Sequence, residues 1–249
     1  MIFTSSRVGN RHLWTANLDG SQARPLTSGS SFDERPAFSP DGQQIAFLSD
    51  RGGRRAIWII SADRGAPRKV AEASVLSNLT WSPDGHEIVY AAEAGDGPGL
   101  WSVSVHNGKV TRISTPGLAN EPTWSAARQL IAYMSPTSSG PSFTRIAFLD
   151  AHGKTFYETL PPPPGPGGFG NGFGAWAPDG RRIAVVSQPG GGIASIWIVE
   201  PDSPAVYRKL IELPPGPRVR GVTWTADGSA LIVGKRDTAS DIVIFESDK

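Results

Sequence analysis

One ten-residue pattern occurs five times along the chain and limits the fold more than any other feature. It reads FSPDGQQIAF at Phe38–Phe47, WSPDGHEIVY at Trp81–Tyr90 and WSAARQLIAY at Trp124–Tyr133. Two further copies are WAPDGRRIAV at Trp176–Val185 and WTADGSALIV at Trp224–Val233. Their starts lie 43, 43, 52 and 48 residues apart, the size of one supersecondary unit in a repeat protein. A second β-rich run follows each copy: Ala56–Gly65, Leu100–Gly108, Arg145–Gly153, Ile196–Asp202 and Asp241–Asp248. Met1–Trp14 aligns without gaps on Ile45–Trp58 at an offset of 44, so the central hairpin has a sixth copy.

Turn chemistry explains the pattern. Pro40 presets φ for the second position of a type I turn, Asp41 suits the third, and Gly42 takes the left-handed conformation. The expected result is a three-residue hairpin closed by a bulge, with the Ser39 hydroxyl accepting a turn hydrogen bond. The third copy has Ala126, Ala127 and Arg128 in these places. That hairpin is expected to be the least well specified, and Arg128→Gly to be neutral or stabilising.

Flanking runs such as Ile45-Ala46-Phe47-Leu48 and Ile57-Trp58-Ile59-Ile60 are short and apolar, as in strands buried on both faces. All eight tryptophans fall on two repeat positions: Trp81, Trp124, Trp176 and Trp224 on one, Trp14, Trp58, Trp101 and Trp197 on the other. A fixed place in every repeat marks packing between sheets. Each full repeat reads as four strands; the first lacks its first strand and the last lacks its fourth. The expected fold is an all-β, six-bladed β-propeller of four-stranded antiparallel blades with incomplete terminal blades, forming one domain over 1–249. About two dozen more residues would complete the circle, so the chain reads as a fragment of a longer protein.

The repeated [FW]-S-P-D-G-x-x-I-x-[FY] followed by Ile-Trp resembles the TolB-like β-propeller repeat over nearly all 249 residues. WD repeats fit less well, because Trp14, Trp58, Trp101 and Trp197 are followed by Thr, Ile, Ser and Ile. The sialidase Asp-box also fits poorly, because here the Asp and Gly are adjacent. The resemblance implies a non-catalytic platform for a protein or peptide partner. TolB proper is a periplasmic partner of the envelope lipoprotein Pal in the Tol–Pal system, so a Pal-type partner and a periplasmic location follow from the resemblance. TolB proper also carries an N-terminal α/β domain, and no such pattern is seen in this chain. Similar propellers gate prolyl-oligopeptidase-type serine peptidases or form the sensor half of bacterial regulators and kinases. These are the alternative readings.

Composition narrows the functions. Twenty-four Lys and Arg against 23 Asp and Glu leave a net charge of +1, which argues against nucleic-acid binding by bulk charge. The absence of cysteine removes disulfides, thiol catalysis and Cys-ligated zinc. The start MIFTSSRVGN is no secretory signal, and no apolar stretch reaches membrane-spanning length. The G-x-G-x-x-G at Gly165, Gly167 and Gly170 follows four prolines and leads towards a strand, so it reads as a loop within the insertion Pro161–Gly174. His86-Glu87 begins a zincin-like motif, but Tyr90 stands at the second histidine. Asp41, Asp84, Asp179 and Asp227 serve turns, and Asn78-Leu79-Thr80 is a sequon on an inner strand. No catalytic, metal or cofactor residue is expected.

Recognition is expected on the variable second-to-third-strand loops: Asp50–Arg55, Glu93–Gly99, Pro136–Ser142, Pro189–Gly192 and Arg236–Ser240. In the first two repeats this rim carries Arg7, Arg11, Arg51, Arg54 and Arg55, beside Asp33, Glu34 and Arg35. It is expected to receive an acidic segment of a partner. Replacing Arg51, Arg54 and Arg55 by Glu is expected to leave folding intact, and His86 and Lys109 lie on the opposite face.

Overall fold

The computed structural model describes the chain except residues 73, 75–76, 95–96, 115–116, 118, 137–142, 161–173, 189–191, 203–206, 216–218, 236–240 and 247–249. The Gly165–Gly170 motif and most of the last three variable loops therefore lie outside the described residues. Among those described, every helix or strand is a strand, and no helix is long and apolar enough to cross a membrane. The chain divides into two compact units, Met1–Ile113 and Ser114–Lys249.

The first unit holds three antiparallel sheets in chain order. The first is β1 (Ile2–Ser5), β2 (His12–Thr15) and β3 (Arg24–Pro25). The second is β4 (Asp33–Phe38), β5 (Gln44–Ser49), β6 (Ala56–Ser61) and β7 (Arg68–Glu72). The third is β8 (Thr80–Trp81), β9 (Glu87–Ala94), β10 (Gly97–Ser104) and β11 (Val110–Arg112). Phe3 pairs with Trp14 as Phe47 pairs with Trp58, so the ungapped sequence alignment is also a structural register.

The second unit repeats the plan. One sheet is β12 (Asn120–Ser125), β13 (Leu130–Pro136), β14 (Phe143–Asp150) and β15 (Thr155–Leu160). The next is β16 (Gly174–Trp176), β17 (Ile183–Ser187), β18 (Ser195–Val199) and β19 (Tyr207–Glu212). A three-stranded sheet follows: β20 (Val219–Trp224), β21 (Ala230–Lys235) and β22 (Asp241–Glu246).

The cores lie between sheets. Ile45 to Ser49 are all buried, so β5 has no solvent face. Ala46, Leu48, Ile57 and Ile59 pack on Leu79, Trp81, Ile88 and Tyr90 of the next sheet. In the second unit, Ile196, Ile198 and Val186 pack on Val222, Trp224 and Leu231. The two tryptophan sets differ in what their indoles bond, although Trp224, like the second set, also lies under a cation, Arg182. Trp81 Nε1 donates to Ala37 O at 3.0 Å, Trp176 to Thr123 O at 3.1 Å and Trp224 to Ala175 O at 3.0 Å. Each indole thus bonds the backbone of the preceding sheet. In the other set a cation covers the ring: Arg7 on Trp14, Arg51 on Trp58, Arg112 on Trp101 and Lys209 on Trp197.

The turns differ from expectation in one detail. Ser39 N–H donates to Gln44 O at 2.8 Å, so four residues rather than three lie between the closing partners. The serine explains the wider loop: its Oγ accepts Gln44 N–H at 2.9 Å, and Asp41 Oδ1 accepts Gln43 N–H at 3.0 Å. Both extra donors are satisfied. Ser82 and Asp84 repeat the arrangement, as do Thr225 and Asp227. The Thr225 and Ser229 donors hold the Asp227 carboxyl down at about 2.

Arg128 overturns the expectation for the degenerate turn. The left-handed residue there is Gln129, at φ 56°, one place beyond the usual glycine. Gln129 N–H reaches back to Ser125 O at 2.8 Å. Arg128 is freed to cross to the next sheet of its unit. Its Nε donates to Gly180 O at 2.6 Å, and both terminal nitrogens bond the Asp202 carboxylate. That pairing lowers the Asp202 pKa. Arg128→Gly is therefore expected to lower stability by about 1 kcal/mol, the scale of a bidentate pair open to solvent. A denaturant midpoint at or above wild type would contradict this.

The same contact grades the turn glycines. A Cβ on Gly85 (φ +73°) meets nothing nearer than Pro40 Cδ at 3.9 Å, so Gly85→Ala is expected to cost only the left-handed penalty, about 1 kcal/mol. A Cβ on Gly180 (φ +69°) would lie 2.9 Å from Ala127 Cβ and 3.0 Å from Ser125 Oγ. Gly180→Ala is expected to be the more damaging of the two in parallel chemical denaturation.

Candidate functional site

The candidate rim is built around a buried carboxylate. Asp33 opens β4, and its N–H donates to Arg11 O at 2.8 Å, tying the second sheet to the first. Its side chain is fully buried. Arg51 Nη2 donates to Oδ1 at 2.7 Å, and Ser31 Oγ lies 3.4 Å from the same oxygen. Buried His12 Nδ1 stands 3.5 Å from Oδ2 without hydrogen bonding it. Burial pushes the Asp33 carboxyl up. Hydrogen bonds from Ser49, Thr27 and Arg51, with the Arg51 charge, outweigh that and leave the pKa below its ordinary value of 3.8.

Arg51 is an internal strut. Its Nε donates to Ser49 Oγ at 3.0 Å, and its guanidinium lies over Phe47 (5.0 Å) and Trp58 (5.5 Å), with the side chain 19% exposed. The expectation that Arg51→Glu leaves folding intact is therefore corrected: a second carboxylate would face Asp33 in a site with almost no water. Arg7 repeats the placement on Ser5, Phe3 and Trp14.

The outer residues form a separate group. Glu34 accepts Arg11 Nη1 on Oε2 at 3.0 Å and Arg55 Nη2 on Oε1. Its side chain is 23% exposed, and that of Arg55 is 45% exposed. Arg54 is exposed and makes no hydrogen bond or ion pair among the described residues; its charge helps to lower Glu72, whose main partner is Lys69. Arg35 turns away from this group. It sits at φ 55°, where the β4–β5 ladder skips between Glu34 and Ala37, and Nη1 donates to Asn78 Oδ1 of the following sheet at 3.0 Å. The structure thus joins Arg11, Glu34 and Arg55, leaves Arg54 exposed next to Arg55 in the chain, gives Arg51 and Arg35 internal contacts, and keeps Arg7 exposed over Phe3 and Trp14. Of the other variable loops, Glu93–Gly99 is described except 95–96.

A polar groove of about 440 Å³ lies at the other end of these strands, between turns Ser39–Gly42 and Ser82–Gly85. Asp41, Asp84, His86 and His106 line it. Sequence reasoning passed over it because each turn reads as complete in itself. It also missed the pairing of Asp33 with Arg51. A signal for the Arg51 site was present: Ser-x-Arg recurs at Ser5-Ser6-Arg7 and Ser49-Asp50-Arg51 at the same offset of 44.

Asp33→Asn is expected to destabilise by about 2–3 kcal/mol, because a charge-assisted bond to a buried partner is lost. A carboxylate with a depressed folded pKa stabilises above its ordinary value and loses that contribution as pH falls through the folded one. The deficit of the variant is therefore expected to be full at pH 7 and to shrink in melts below pH 4. A deficit independent of pH would show that the charge on Asp33 contributes nothing.

Comparison with known proteins agrees with this architecture. The model of the family described as TolB beta propeller domain matches residues 1–153. A protein named TolB homolog from Chlorobium chlorochromatii is 30% identical over 81 residues, which are 32% of this chain and 18% of that protein. The matched part thus spans less than a fifth of that curated relative. The crystal structure of TolB from Acinetobacter baumannii superposes with a TM-score of 0.78 at 20% identity, over 99% of this chain and 60% of that one. Oligogalacturonate lyase from Vibrio parahaemolyticus gives 0.60 at 16% identity, over 99% and 71%. The fold is an all-β propeller of antiparallel sheets, and an enzyme shares it.

Proposed function

Because the chain belongs to the TolB β-propeller family, we propose that it is a non-catalytic scaffold that binds a protein partner through the charged rim of its first unit. The supporting observation is the Arg11–Glu34–Arg55 clamp, with exposed Arg54 next to Arg55 in the chain and without a hydrogen bond or ion pair among the described residues. The clamp holds two guanidinium groups in place, so little side-chain entropy remains to be lost on binding. Arg54 and the outward edges of Arg11 and Arg55 can then take carboxylates of an acidic segment in the bidentate geometry that arginine favours. Arg35 and Arg51 support this surface from behind through their internal contacts, and Arg7 is exposed on the neighbouring sheet. We extend the reading to residues 1–249 as a single six-bladed domain with incomplete terminal blades. Following TolB, its place is the periplasm and its partner an envelope lipoprotein of the Pal type.

The test uses a soluble Pal-type lipoprotein domain from the source organism, lacking its acyl chain, immobilised for capture. Wild type and a His86→Ala/Lys109→Ala variant are expected to be retained. Arg54→Glu/Arg55→Glu is expected to bind at least about tenfold more weakly, as when charged contacts are replaced by repulsion. Equal retention of this double variant, with its melting temperature unchanged, would place binding elsewhere.

A further inference from the structure

The turn contact of Arg128 has an open counterpart in the first unit. In the second unit, Arg128 of the β12–β13 turn donates through Nε to Gly180 O at 2.6 Å and through both terminal nitrogens to the Asp202 carboxylate. Gly42 and Gly85 hold the places of Arg128 and Gly180 in their turns, four residues after Phe38 and Trp81. His106 holds the place of Asp202, five residues after Trp101 as Asp202 is after Trp197. Tyr90 pairs with Trp101 as Val185 pairs with Trp197, so the sequence equivalence is also a structural one. With glycine in place of the arginine, the first unit has the polar groove of about 440 Å³ here, lined by Gly85 and His106 among others. Gly85 O accepts no hydrogen bond among the described residues.

Two carboxylates line the same groove, Asp41 and Asp84. Asp41 Oδ1 accepts hydrogen bonds from Ser39 Oγ at 2.5 Å and Gln43 N–H at 3.0 Å. Asp84 Oδ1 accepts them from Ser82 Oγ at 2.6 Å and His86 N–H at 3.0 Å. These donors hold both carboxyls below their ordinary value of 3.8, so both are ionised at neutral pH. Oδ2 of each has no hydrogen bond or ion pair among the described residues. Arg68 also lines the groove, but its Nη1 is held on Val105 O at 3.0 Å. The turns thus present fixed anionic acceptors where the second unit has a fixed cation. We propose that the groove receives an arginine side chain of a partner protein, which bonds Gly85 O as Arg128 bonds Gly180 O and gives its remaining donors to Asp41 and Asp84. The planar guanidinium fork reaches separate acceptors at once, whereas an ammonium is a point charge. Both carboxylates are already oriented by their own turns, so little side-chain freedom is lost on this side of the contact. The groove lies at the opposite end of the strands from the Arg54–Arg55 surface, and the two readings fail separately.

The experiment is an amide NMR titration of the 249-residue protein with the peptide acetyl-GSRSG-amide, and with the same peptide carrying lysine or the neutral isostere citrulline in place of arginine. Saturable shifts at Gly85 and His106 are expected with the arginine peptide. The lysine peptide is expected to bind about threefold more weakly and the citrulline peptide about tenfold, the scale of a few solvent-exposed ion pairs. Asp41→Asn/Asp84→Asn keeps a side-chain oxygen for each turn and is expected to weaken the arginine peptide about tenfold. His106→Asp, at an exposed tip, adds the acid that the second unit has in Asp202 and is expected to tighten the arginine peptide about threefold. This variant leaves both turns untouched, so it decides the matter even where the double variant folds poorly. Absence of saturable shifts at Gly85 and His106, equal binding of the arginine and citrulline peptides, or binding by His106→Asp no tighter than by wild type would each overturn the proposal.

Discussion

A strand such as β5, buried from Ile45 to Ser49, cannot exist in an isolated sheet in water, because both its faces are apolar. Covering a side chain the size of Ile45, Phe47 or Leu48 stabilises by roughly 1.5–3 kcal/mol, and only a neighbouring sheet can do so. This mutual dependence governs the rest of the molecule. Within each unit a sheet serves as the core of the next, so the contacts that set their spacing matter more than those within any one sheet. The indole bonds from Trp81 to Ala37 O, Trp176 to Thr123 O and Trp224 to Ala175 O do this directionally. Apolar packing alone would let the sheets slide; a buried N–H that must find one particular carbonyl makes most offsets costly.

The parts of this design that are local were legible in the sequence. A turn is decided by a few adjacent residues, so SPDG could be read from Pro40, Asp41 and Gly42 alone. The strands followed because the same spacing returned in every copy. What escaped was the effect of one residue on a distant one. The Ser39 hydroxyl accepts a turn hydrogen bond as expected, but its donor is Gln44 N–H, which makes the loop one residue longer than Pro-Asp-Gly suggests. Arg128 read as a damaged glycine position, yet in three dimensions it is a link to Gly180 and Asp202, 52 and 74 residues away. Gln129 takes over the left-handed conformation, which costs a little locally and gives Arg128 its reach.

The candidate site shows the same division. Seven charged residues fall on one rim in the sequence pattern, and that pattern does not separate a side chain facing outward from one folded inward. Arg51 and Arg55 are four residues apart on one loop. One is held among Asp33, Ser49, Phe47 and Trp58, and the other is nearly half exposed on Glu34. Asp33 decides between them, because a buried carboxylate must draw in the nearest guanidinium or be protonated. The sequence contained the clue in the shared Ser-x-Arg at Ser5 and Ser49, but the acid that completes the set lies on another strand.

Internal and outward charges therefore depend on one another. Asp33 is attached through its own N–H to Arg11 O, and Arg11 in turn holds Glu34, the residue next to Asp33. The buried pair sets the position of the start of β4, and the exposed clamp is built on that strand start. A surface group gains rigidity only from what lies beneath it, and here the layer beneath is ionic rather than apolar. Such a layer is selective as well as supportive. Its geometry accepts a guanidinium and a carboxylate, and a neutral residue in either place leaves a desolvated charge without a partner. Where Arg51 meets Asp33 the requirement is satisfied within the fold; at Arg7 the same arrangement of hydroxyl and rings holds the cation at the surface.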